Sequence, residues 1–226
     1  MKQILIAIAI LSTSCSAGKS TDSSKTTQVK TVEITTPQQP DIDIPEGTSV
    51  AYFASGCFWC VEAIFESVRG VSEAVSGYAG GTAKTANYSD VSSGASDHAE
   101  AVMVYYDSTV VSYNTLLQVF FGSHDPTTLN QQGPDRGTQY RSTIFYQNER
   151  ELSAATAYIA DLESQKVFAK PITTTLEPLT KFYAAEDYHQ DYEARNPNQP
   201  YVRSVSVPRL RRFQKKYPDL LKPTDH

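Results

Sequence analysis

A short apolar run, Ser49-Val50-Ala51-Tyr52-Phe53-Ala54, ends at Ser55-Gly56, and a helical pattern begins immediately after it at Cys57. Beyond the glycine, Val61, Ile64, Phe65 and Val68 take the i, i+3, i+4, i+7 positions of one helix face. The pattern predicts a buried strand, a turn and a helix, with Cys57 at the helix N-terminus. Unpaired N–H groups and the macrodipole there favour negative charge, so Cys57 is expected to have a lowered pKa. Cys60 lies one helical turn on. Positions i and i+3 are roughly 5 to 6 Å apart on a helix, within the reach of a disulfide. With two of only three cysteines in this motif, redox chemistry is the expected use of the pair.

Downstream, the sequence predicts a strand near Val71 to Tyr78, a Gly-rich loop through Gly80-Gly81 and a strand from His98 to Tyr106. A helix follows from Ser112, its cap, to Phe121, then a long polar loop from Ser123 to Gly137 and a strand from Tyr140 to Gln147. Asn148 with Glu151 marks the start of a helix carrying Leu152, Ala155, Ile159 and Leu162 on one stripe, followed by a strand from Ile172 to Leu176. Alternation of this kind implies an α+β domain, a mixed sheet with helices mainly on one face.

Met1-Lys2-Gln3, the apolar run Ile4 to Leu11, and Ser12-Thr13-Ser14-Cys15 have the three-part form of a secretory signal, too short to span a bilayer. A cysteine directly after small residues is similar to a bacterial lipoprotein lipidation site. Ser12 departs from that pattern, which usually has leucine three residues before the cysteine. Plain secretion with Cys15 removed is the alternative. Residues 16–46 are rich in Ser, Thr, Lys, Gln and Pro and are expected to form a disordered tether spanning roughly 30 Å. Residues 47–226 have the length and apolar content of one globular domain. The expected location is therefore the bacterial cell envelope, on a lipid anchor facing the periplasm. The net charge of −5 and the absence of a basic stripe argue against nucleic-acid binding. The basic run Arg209 to Lys216 reads as a solvated helix face.

Strand alternation puts Glu100 on the face of Val102 and Val104, with alanines at 99 and 101. Burial without a cation would raise its pKa and make it a proton donor near neutrality, whereas a strand-end position in water would leave it ordinary. Gly133 to Arg141, containing Asp135 and Tyr140, reads as a turn. Tyr88 and Tyr140, singly, read as structural tyrosines. Glu186-Asp187-Tyr188-His189 reads as a helix surface with local ion pairs before it reads as a metal cluster.

Taken together, Gly56-Cys57-Phe58-Trp59, Gly77 to Gly81, Tyr88, His98 to Val102, Asp135 with Gly137 to Arg141, and Ala185 to Gln190 resemble, in order and spacing, the A-type peptide methionine sulfoxide reductases. The resemblance covers about Val50 to Asn196. It implies a ferredoxin-like core and reduction of methionine S-sulfoxide, free or in oxidised proteins, to methionine. It implies Cys57 as nucleophile, Glu100 as general acid, Phe58 and Trp59 as apolar walls for the S-methyl group, and Tyr88, Asp135 and Tyr140 as polar partners. Two departures stand out. Ser96-Asp97 replace the usual Thr-Gly pair, and no cysteine lies in the C-terminal segment, which leaves Cys60 as the resolving residue. The expected cycle runs through a sulfenic acid and a Cys57–Cys60 disulfide. It needs no metal or organic cofactor, only an external thioredoxin-like dithiol, and a monomer suffices.

Three rivals differ in class. A general thiol-disulfide oxidoreductase also uses Cys-x-x-Cys at a helix start, but there a tryptophan precedes the first cysteine, whereas Trp59 lies between the two here, and Glu100 would have no task. A zinc module would need a second ligand pair beyond His98, His124 and His189. A non-catalytic surface lipoprotein would account for the signal and tether alone; turnover of a methyl sulfoxide separates it from an enzyme.

Overall fold

In the computed structural model, which describes residues 47–223, the apolar run forms β1 (Ser49–Ser55) and the helix α1 spans Phe58–Glu66 with Cys57 as its N-cap. Gly56 joins them at φ +94°, where a Cβ would lie 2.6 Å from that of Gln132, so only glycine fits this turn without strain. The expected signal, lipidation residue Cys15 and tether, residues 1–46, lie outside the described residues.

The chain continues through β2 (Val71–Ala79), a short helix α2 (Tyr88–Ser92), β3 (Ala99–Tyr106) and α3 (Tyr113–Ser123). The Ser112 side chain caps α3 by accepting the Thr115 N–H. The segment read as a long loop carries a small hairpin, β4 (Gln131–Gln132) with β5 (Asp135–Arg136). After β6 (Ser142–Tyr146), α4 (Glu149–Ser164) starts at Asn148, whose side chain accepts the Glu151 N–H while Glu151 accepts the Gln147 N–H. The strand expected at 172–176 forms later, as β7 (Thr175–Pro178). Besides α2, the elements β8 (Phe182–Ala184), α5 (Tyr192–Arg195), and a π-helical segment, Val202–Ser206, that runs into α6 (Val207–Lys216) went unforeseen.

One six-stranded sheet has the order β7-β6-β1-β3-β2-β8. Within it β6-β1-β3-β2 are mutually antiparallel neighbours, the ferredoxin-like arrangement, while β7 adds to β6 in parallel and β8 to β2 antiparallel. The two faces of the sheet differ. Phe53, Tyr78, Val102, Val104 and Ile144 pack against the apolar stripes of α1, α3, α4 and α6. On the other face Ala99, Ala101, Met103 and Tyr105 pack with Tyr52, Phe145 and Phe182, which come from strands. The alternation read in β3 therefore puts Glu100 on the helix-covered face, where α1 begins.

Candidate active site

Glu100 is 2% exposed, and its Oε2 accepts the Phe58 backbone N–H at 3.0 Å. That bond ties the β3 carboxyl to the first amide of α1, next to Cys57. Burial is the main cause that pushes the Glu100 pKa up, to about 8, with Asp135 and Cys60 adding to it and the Phe58 bond opposing it. The carboxyl is therefore protonated at neutral pH.

Cys57 and Cys60 are both free thiols, buried, and within hydrogen-bonding reach of each other. The expectation for Cys57 is not met: its pKa is raised, by burial first, then by Cys60 and Glu100. The helix amide that would favour its thiolate, Phe58 N–H, is committed to Glu100. It is Cys60 whose pKa falls, to about 6, through its hydrogen bond with Cys57, the charge of Arg209 and the contact with Ser206, against the effect of burial. As a unit the pair releases its first proton below the ordinary thiol range and holds the second.

Tyr88, the first residue of α2, and Tyr140, in the turn before β6, both face Glu100 and Cys57. Burial is the leading cause that raises both phenols, Tyr88 to about 12, so each remains a hydrogen-bond donor. Asp135, in β5, accepts the Tyr201 hydroxyl at 2.5 Å, and its pKa is raised by burial against that bond. Phe58 is fully buried against Tyr78 and His189. Trp59 is half-buried, stacked on Tyr192 with centroids 3.8 Å apart, and its Nε1–H donates to His189 Nδ1 at 3.1 Å. The site residues expected from the resemblance thus come together where α1 starts.

Several residues here were not anticipated. Ser206 Oγ lies 2.8 Å from Cys60 Sγ, and Tyr201 Oη lies 4.0 Å from it. Arg209, read as part of a solvated face, is buried. Its Nε donates to Ser123 O at 2.9 Å and its Nη2 to Ser55 O at 3.0 Å, locking α6 to the ends of β1 and α3. Only the neighbouring Arg211, Arg212, Lys215 and Lys216 are exposed. Glu186, within the segment read as a helix surface, accepts the Tyr78 hydroxyl and the Tyr88 N–H, so it positions the tyrosine wall. His189 beside it is buried in a one-turn 3₁₀ helix. The alternating apolar and basic residues of 207–216 were the only sequence signal for α6; nothing local marked Arg209 as different from its neighbours.

Two of the histidines weighed against a zinc module, His98 and His124, hold the chain together. His98 bonds Gly81 N and Thr82 O, and His124 bonds Phe120 O and Ser142 Oγ. Carboxyl groups of Glu62, Glu66 and Asp191 approach within 4.8 Å of one another. Both oxygens of Glu62 are already engaged, with Ser76 Oγ at 2.7 Å and Asp191 N at 3.0 Å. That cluster ties α1 to β2 and the start of α5.

Residues 49–221 match the family model of peptide methionine sulfoxide reductase. A peptide methionine sulfoxide reductase MsrA from Synechocystis is 50% identical over 177 residues, covering 78% of this chain and 83% of that protein. Another from Rhodopirellula baltica is 48% identical over 176 residues, covering 78% and 91%. Among solved structures, Mxr1 from Saccharomyces cerevisiae in reduced form matches with a TM-score of 0.64 and 34% identity, over 69% of this chain and 89% of that one.

Proposed function

Because this chain belongs to the peptide methionine sulfoxide reductase family, we propose that the cluster at the start of α1 is the centre at which it reduces methionine sulfoxide to methionine. The observation that carries the reading is a buried carboxyl fixed beside the N-cap cysteine, Glu100 on Phe58 N–H, whose pKa burial raises. The sulfoxide bond is polarised, so a sulfur nucleophile attacks its sulfur readily only if the oxygen gains a proton as charge develops on it. Cys57 attacks and Glu100 donates. Tyr88 and Tyr140 hydrogen-bond the oxygen, while Phe58 and Trp59 enclose the S-methyl group; Asp135 acts at one remove, through Tyr201. Methionine leaves and Cys57 is left as a sulfenic acid.

Cys60 then attacks that sulfur, water departs, and the resulting disulfide is reduced by a thioredoxin-like dithiol. No bound cofactor enters this cycle. The substrate is the S epimer, free or within oxidised proteins, and the enzyme acts as a monomer. Turnover of the two separated epimers by the purified protein with dithiothreitol tests the reading. Reduction of the S epimer alone is expected, and no turnover of either would sink it.

The mature chain begins at a lipid-bearing Cys15, with residues 16–46 holding the enzyme off the envelope membrane, facing the periplasm. Support comes from the pattern of residues 1–15 and the composition of 16–46. Mass spectrometry of the membrane fraction decides: an unmodified N-terminus in a soluble pool means plain secretion.

A further inference from the structure

The two cysteines are not equivalently surrounded. Cys57 has no side-chain capping bond, and the nearest helix amide, Phe58 N–H, is taken by Glu100. Cys60 is met by the C-terminal segment. Ser206 Oγ lies 2.8 Å from its sulfur, and it shares a cavity of about 180 Å³ with Tyr201, Arg209 and Arg212. The hydrogen of Tyr201 goes to Asp135, so Ser206, whose hydroxyl can donate or accept in its contact, is the group able to donate to a Cys60 thiolate, and Arg209 is the buried cation lining the same cavity.

We propose that in the reduced enzyme Cys60 carries the negative charge of the pair and accepts the Cys57 proton as Cys57 attacks, with Ser206 and Arg209 as the positioning residues that keep the charge on Cys60. The proposal rests on the reading of Cys57 as nucleophile, and it gives Cys60 a task before resolution as well as during it.

The groups facing Cys60 are consistent with charge there. Glu100 from β3 is pushed up to about 8 and Glu193 from α5 to about 7, both by burial first, so Glu100 is mostly neutral near pH 7 while Glu193 opposes the charge increasingly as pH rises through about 7. Asp135 is also raised by burial and is spanned by Tyr201. Arg209 supplies a buried charge of opposite sign, with exposed Arg212 lining the same cavity, and Ser206, with Glu193 in hydrogen-bonding reach behind it, can supply a donor. The π-helical turn at Val202–Ser206 is what brings Ser206 inward ahead of α6.

The step balances. The Cys57 thiol proton passes to the Cys60 thiolate, and the freed sulfur bonds to the sulfoxide sulfur. Glu100 gives its proton to the oxygen. The OH group then passes from the methionine sulfur to Cys57 as the new bond between the two sulfurs breaks and leaves an electron pair on methionine, so sulfur of the substrate is reduced and Cys57 oxidised to the sulfenic acid. Cys60 is now a neutral thiol and Glu100 a carboxylate. In the next step Cys60 bonds to Cys57, and the OH leaves as water with the Cys60 proton.

The test follows, in the full-length reduced protein, the ultraviolet absorbance of thiolate and the rate of methionine release in a single turnover, each against pH. Ser206→Ala should move both to higher pH by about one unit, about tenfold slower release at about pH 6 and little change at about pH 9. Ser206→Thr, which keeps the hydroxyl, should restore both. Cys60→Ser should abolish the thiolate signal near neutrality and move the single-turnover profile to the range of an ordinary or higher thiol. A Cys60→Ser protein that keeps both the neutral thiolate signal and the wild-type profile would overturn the proposal, because Cys57 would then hold the charge alone. That result differs from failure of the proposed function itself, in which the wild-type protein releases no methionine.

Discussion

Glu100 Oε2 and the Phe58 amide, 42 residues apart in sequence, are joined at 3.0 Å, so the acid and the helix that begins at Cys57 move as one unit. The acid must be protonated to act, and its pKa is raised to about 8, chiefly by burial. The rate is therefore expected to fall as pH rises through about 8, and to fall again at the acid end as Cys60 gains a proton near about 6. Glu100→Gln keeps an acceptor for Phe58 N–H but carries no transferable proton. A loss of about 10² to 10⁴ in kcat/KM with unchanged circular dichroism is expected. A rate near that of the wild type across neutral pH would end the general-acid assignment.

Cys57→Ser should release no methionine, since a serine hydroxyl is scarcely ionised near neutrality. Cys60→Ser should still release one equivalent, more slowly, and accumulate sulfenic acid, which a dimedone probe detects by mass. Dithiothreitol can reduce that acid directly and sustain some turnover, whereas a thioredoxin-like protein needs a disulfide to attack. Normal turnover with the protein reductant would remove Cys60 from the recycling step.

Arg209 closes the site from behind by donating to Ser123 O and to Ser55 O. Arg209→Met has similar length but leaves these buried carbonyls unpaired, at a cost of about 2–4 kcal/mol. Arg211→Met, on the exposed side of the same helix, should change stability by no more than about 0.5 kcal/mol. Urea denaturation of the two variants makes the comparison; equal midpoints would mean that α6 is held by its apolar face alone.

Glu62, Glu66 and Glu100 are each raised from 4.5 to about 8, with burial the first cause. Folded, they stay neutral through most of this range; unfolded, they ionise above about 4.5 and release protons. Their stabilising contribution is complete below about pH 4.5 and is lost as pH rises through about 8. The urea midpoint should therefore be higher at about pH 5.5 than at about pH 8. Glu62→Gln, which can still bond Ser76 and Asp191, should flatten that slope. A midpoint that rises with pH over this interval would contradict these shifts.

Short-range physics made much of this protein legible in its sequence. Gly56, the stripe after it and the caps Ser112 and Asn148 act over a few residues, so β1, α1, α3 and α4 could be read directly, as could the face of β3 that carries Glu100. Cysteine, tryptophan and tyrosine motifs identified the family for the same reason: each is a local pattern. The electrostatics of the pair were a tertiary matter. A helix N-terminus favours a thiolate in general, yet here desolvation and the capture of Phe58 N–H by a strand residue decide against Cys57. The partners that favour Cys60 lie far along the chain: Ser206 is 146 residues away, and Arg209 reaches Ser55 across 154. Among adjacent basic residues on one helix, only packing chooses which is buried, because burial depends on what faces each side chain and not on its neighbours in sequence.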